Sequence, residues 1–132
     1  MIKEFVPYQP SFDMKSIGFD EPCLTYYEED KYLKQVFVLQ YNKFELFSYK
    51  NVMFDNDGTK EIAAPTFSQA FRWFREKYNL KGHVEAIEYF DETPDTYHWS
   101  ILNEYNSGND QLTYEEAELE CLKKLISIVK EK

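Results

Sequence analysis

Glycine, proline, cysteine and histidine are all scarce in this chain: 4, 5, 2 and 2 of 132 residues. The glycines Gly18, Gly58, Gly82 and Gly108 stand singly, each at an expected turn or element end. A phosphate cradle needs several glycines in one loop, and none exists here. Lys15-Ser16 lacks the upstream glycines of a nucleotide-binding loop, and no serine sits in a Gly-x-Ser-x-Gly elbow. Two cysteines, Cys23 and Cys121, are too few for a disulfide framework. Each has apolar or aromatic neighbours, as buried thiols do. No apolar run approaches the roughly 20 residues of a membrane span. Met1-Ile2-Lys3-Glu4-Phe5 has no apolar signal region, so a cytoplasmic setting, without membrane association, is expected.

What is abundant is aromatic and acidic. Phe, Trp and Tyr make up 18% of the chain, with 11 Tyr and 11 Phe, and the net charge is −9. With 43% apolar and 30% charged residues the chain has the composition of a folded protein rather than a disordered one. Its length suits one domain over residues 1–132, burying roughly two-thirds of the surface the unfolded chain exposes. The 15 basic residues read as dispersed among 24 acidic ones. Binding to nucleic-acid backbone or an anionic membrane needs clustered Lys and Arg and is not expected. An acidic field can steer basic partners inward; more simply, it keeps a small protein soluble.

Residues 7–18 read as a short helix with Pro10 near its first turn and Gly18 as the left-handed residue that ends it, followed by the apolar contact Phe19. Residues 23–54 read as a meander of three strands with breaks at Glu29-Asp30 and Tyr41-Asn42-Lys43. Asp55-Asn56-Asp57-Gly58 is a strong turn signal. Thr66 with Gln69 forms a capping box opening a helix over 67–78, in which Phe67, Ala70, Phe71, Phe74 and Tyr78 share a face. Trp73 falls off that face, at the edge of the core or exposed. Asn79 can take a left-handed cap with Leu80 packing back. His83–Phe90 and Thr96–Tyr105 read as two strands, with Tyr97, Trp99 and Ile101 on one face of the second. Thr113 and Glu116 open a last helix over 114–131, whose apolar arc includes Cys121, Leu122, Leu125, Ile126 and Val129. The expected fold is therefore α+β in the order α-βββ-α-ββ-α, with the helices at 67–78 and 114–131 on one face of an antiparallel sheet.

Chemistry is harder to find. His83 and His98 lie near Glu85 and Glu88, but a hairpin centred on Pro94 puts the two rings on the order of 20 Å apart, too far to share a metal. No cofactor is expected. Carboxylate pairs are too common in this chain to mark a catalytic site. Nucleic-acid mimicry by carboxylates is disfavoured because Lys31, Lys34, Lys123 and Lys124 interrupt the acidic runs. The aromatic surplus is more telling, because Tyr and Trp are favoured at binding surfaces. The candidate surface is the second hairpin, with Tyr89, Tyr97, Trp99 and Tyr105 beside Asp91, Glu92 and Asp95.

Three segments, Gly18-Phe19-Asp20-Glu21-Pro22-Cys23, the run Ala64 to Tyr78 and the run Thr113 to Leu122, resemble small uncharacterised proteins of phage and prophage genomes. The resemblance covers all parts of the chain except roughly 24–60. It implies a phage or mobile-element accessory protein in the host cytoplasm, with no assigned activity or catalytic residues. The expected function is non-catalytic binding of a host or phage protein. A small-molecule binder, for example of a nucleotide signal, and a small enzyme of unknown chemistry are the alternatives.

Overall fold

The computed structural model describes residues 4–28, 33–35, 38–40, 43–45, 62–102, 104–106 and 110–132. The protein is α+β, and every strand pairing described is antiparallel. The chain forms two compact units, Met1–Thr66 and Phe67–Lys132.

The first unit opens with α1 (Tyr8–Ser16), preceded by Pro7 in extended conformation. Gly18 adopts φ 102° and ends the helix, and the Phe19 amide donates to the Met14 carbonyl at 2.9 Å. A side chain at such a φ is strained, and glycine is not. Phe19 is buried. Four short strands follow, β1 (Thr25–Tyr27), β2 (Leu33–Gln35), β3 (Val38–Gln40) and β4 (Lys43–Glu45), where the sequence suggested three. A fifth, β5 (Ile62–Ala64), has no counterpart in the pattern of the sequence. Its two alanines carry little β-propensity, and all three of its residues are buried. The strands pair as a sheet β2-β1-β5 and a separate ladder β3-β4, so the single meander is divided. The expected turn at 55–58 lies outside the described residues. Thr25 donates from Oγ1 to the Ala64 carbonyl at 2.8 Å, and the Tyr27 hydroxyl donates to the Val6 carbonyl at 2.9 Å. These bonds satisfy polar atoms that burial would otherwise leave costly.

The second unit contains α2 (Phe67–Tyr78), β6 (Gly82–Ile87), β7 (Thr96–Ile101), β8 (Tyr105–Asn106) and α3 (Tyr114–Lys130). The sheet order is β6-β7-β8. Helix α2 has the expected bounds, and Asn79 takes the left-handed cap at φ 55° with Leu80 buried behind it. Trp73 proves to be core. It is buried, edge-on to Phe74 and Tyr78, with the Lys77 ammonium 5.3 Å from its ring centroid. In α3 the Thr113 hydroxyl accepts the Glu116 amide at 3.1 Å, as the capping signature requires. Ala117, Cys121, Leu122, Leu125 and Ile126 are buried, while Val129 is only half-buried.

Gly82 shows how closely helices and sheet approach. A methyl group on its Cα would stand 2.8 Å from Cys121 Sγ, 3.2 Å from Leu125 Cδ1 and 3.6 Å from Phe71 Cδ1. Both α2 and α3 therefore cover the Gly82 face of the hairpin, as expected for helices on one side of a sheet. The opposite face of the hairpin and the loop joining β6 to β7 lie outside that packing.

Candidate functional site

The ladder of β6 and β7 pairs His83 with Ser100, Glu85 with His98 and Ile87 with Thr96. Side chains alternate along a strand, so these six stand on the face away from the helices. This register corrects the separation of about 20 Å expected for the two histidines. His98 is a diagonal neighbour of His83, a position where cross-strand residues sit about 7–8 Å apart. The expectation failed because it centred the hairpin on Pro94. Strand β6 ends at Ile87, and the loop turns instead at Asp91, whose Oδ1 accepts the Thr93 amide at 2.8 Å. An aspartate bonding two residues ahead makes a turn without help from proline.

The outer face is polar and internally paired. His83 Nε2 lies 2.8 Å from Glu85 Oε1, and His98 Nδ1 lies 3.2 Å from Asp110 Oδ1. Thr96 Oγ1 reaches Asp110 Oδ2 at 3.5 Å, and the Tyr89 hydroxyl lies 3.4 Å from Thr96 Oγ1. Ser100, His83 and Glu85 have the residue types of a hydrolytic triad but not its geometry. The serine oxygen is 3.0 Å from Nε2 and 3.4 Å from Nδ1, so it rests against the ring between the nitrogens. In a working triad the serine and the acid occupy different nitrogens, each along its own axis. Here Nε2 faces both Ser100 and Glu85. Among the described residues no three His, Cys, Asp or Glu side chains gather as a metal-ligand set. Burial pushes the Cys121 thiol up to about 12, so the thiolate needed for nucleophilic chemistry does not form.

The loop from Glu88 to Asp95 is different in character. Every one of its residues is exposed. Phe90 is exposed at 111%, as fully as a side chain can be, and Tyr89 at 40%. Asp91 is held below its ordinary value by hydrogen bonds from Thr93, the hydroxyl first and then the amide. Its charge therefore persists through mildly acidic conditions.

The structure divides the seven sequence-predicted residues. Tyr89, Asp91, Glu92 and Asp95 belong to the exposed loop. Tyr97 is half-buried on the helix face, edge-on to Tyr114 at 6.0 Å, and Trp99 is buried at 8% exposure. Tyr105 opens β8 opposite Ile101. Tyr89 reaches Thr96, one residue from Tyr97, so the two tyrosines lie on opposite faces of the hairpin. Trp99 is therefore core rather than an exposed anchor.

Two features escaped the sequence reading. Phe90 closes the expected strand His83–Phe90, a position whose exposure the residue pattern does not reveal. The second feature is the charge distribution, which is not dispersed. Between Gly82 and Leu122 there is no Lys or Arg and there are 11 carboxylates, against 24 acidic and 15 basic residues in the whole chain. That segment carries a charge of −11 with neutral histidines, and the remainder carries +2. Counting charge by segment would have revealed it.

Comparisons with protein-family models, curated proteins and solved structures yield no match to this chain. Among the described residues no helix is long and apolar enough to cross a membrane.

Proposed function

We propose that this protein is a non-catalytic accessory protein of phage or mobile-element type that binds a protein partner through the acidic, aromatic-bearing loop of its second hairpin. The observation that carries the reading is Phe90, a phenyl ring fully exposed within a stretch that contains no basic residue. Scattered exposed apolar side chains are ordinary. An aromatic ring in an exposed loop that also carries four carboxylates has instead the composition of a binding hot spot, an anchor among polar residues. The phage setting rests on the three sequence segments that resemble phage and prophage proteins. Paired histidines and a misaligned serine favour a surface role over catalysis on the adjoining face.

Quantitative affinity capture by the full chain from source-cell lysate tests this reading. It calls for a protein retained in stoichiometric amount at about 50 mM salt and largely released at about 500 mM, because exposed charges are screened over a Debye length of about 10 Å at 0.1 M salt. Absence of any protein retained above a bare-resin control contradicts it.

A further inference from the structure

We infer that the partner is a protein presenting an apolar pocket rimmed by Lys and Arg, with Phe90 as the side chain that enters the pocket. The inference deepens the binding reading above and rests on it. None of the Phe90 ring is buried against the described residues, so its whole apolar surface is available to another molecule. The same loop carries Glu88, Asp91, Glu92 and Asp95, all exposed, and the segment from Gly82 to Leu122 contains no Lys or Arg. The Asp91–Thr93 bond at 2.8 Å fixes the turn beside the ring and keeps Asp91 charged. The loop thus offers an exposed phenyl ring within a stretch bearing four exposed carboxylates, its acidic collar. Its complement is a pocket that accepts the ring and a rim that returns the opposite charge. Such a collar repels an anionic membrane, and it repels nucleic-acid phosphate equally.

The two parts separate kinetically. Rim charges act on the rate of encounter and its salt dependence, whereas a desolvated anchor acts on dissociation. Phe90→Ala is expected to weaken binding at least tenfold through faster dissociation. Neutralising the collar by E88Q, D91N, E92Q and D95N is expected to slow association about tenfold and flatten its salt dependence.

The test places the photo-crosslinking residue p-benzoylphenylalanine at position 90 of the full chain, with position 102 as control because Leu102 is also exposed. Irradiation in source-cell lysate is expected to join position 90, and not 102, to a protein segment combining apolar residues with Lys or Arg. The collar-neutralised variant, its fold checked by circular dichroism, should lose most of that yield. If wild type captures a protein that neither crosslinks from position 90 nor depends on the collar, this inference falls while the binding reading stands. If wild type captures nothing, both fall. Crosslinking at position 90 to phosphatidylcholine–phosphatidylglycerol vesicles, or to nucleic acid, overturns the inference in favour of that ligand.

Discussion

Substituting Gly82 by alanine tests how closely the helices pack on the hairpin. The new methyl group would lie 2.8 Å from Cys121 Sγ, closer than carbon and sulfur tolerate, and 3.2 Å from Leu125 Cδ1. Both neighbours are fully buried on one helix, so neither can swing aside into solvent. Overpacking of this kind costs about 1–3 kcal/mol. Alanine in place of glycine returns about 0.4–1 kcal/mol by restricting the unfolded chain. The net expectation is a loss of about 1–2 kcal/mol, read from urea denaturation at constant m-value. Cys121→Ala removes the sulfur that the new methyl meets. The double variant should therefore be more stable than the sum of the single losses predicts, by about 1 kcal/mol. A cycle that closes additively, or a stabilising Gly82→Ala, would refute the close packing of α3 on the Gly82 face of the hairpin.

Leu125→Ala and Phe71→Ala should each cost about 2–5 kcal/mol, and Phe90→Ala less than about 0.5 kcal/mol, because only the first two empty a core site. Glu118 is raised to about 7, by burial first and then by Glu115. Because the folded value lies above the unfolded one, its contribution is fully present below the ordinary 4.5 and is lost as pH rises to about 7. Glu118→Gln should flatten that part of the stability–pH curve and stabilise the protein by roughly 1 kcal/mol at pH 8, the effect being moderated by solvent screening at a half-exposed carboxyl. Asp91, held low by Thr93, behaves in the opposite sense: its contribution is present above the ordinary 3.8 and fades as pH falls through the lower folded value. Carboxyl-detected NMR should show Asp91 titrating below 3.8 in the native protein and moving upward in Thr93→Val.

The elements legible in the sequence were those whose signals are local. Thr113 with Glu116 and the three-and-four spacing of Phe67, Phe71 and Phe74 locate α3 and α2 because capping and face periodicity are written within a few consecutive residues. Gly18 and Asn79 were legible as helix stops because positive φ selects few residue types. Strand β5 was not legible: Ile62-Ala63-Ala64 is held by pairing with Thr25–Tyr27, far away in sequence. The hairpin register failed for the same reason, since Pro94 was the conspicuous turn residue while Asp91 made the turn. The candidate surface was half legible. The acidic loop residues lie exposed, but alternation along β7 sends Trp99 into the core, and the fully exposed ring is Phe90 in the loop.

The most direct measurement removes the loop and keeps the hairpin. Ile87 and Thr96 are the last paired residues of β6 and β7, so a two-residue Asn-Gly turn can join them in place of Glu88–Asp95. Binding of the captured partner to the intact and shortened chains is compared at equal ionic strength, with amide NMR spectra confirming that the fold persists. A drop in affinity of roughly 100-fold or more, with the remaining spectrum unchanged, is the predicted result, because an anchor and its rim leave together. Retention of affinity within about threefold, less than 1 kcal/mol, would contradict the assignment of binding to this loop.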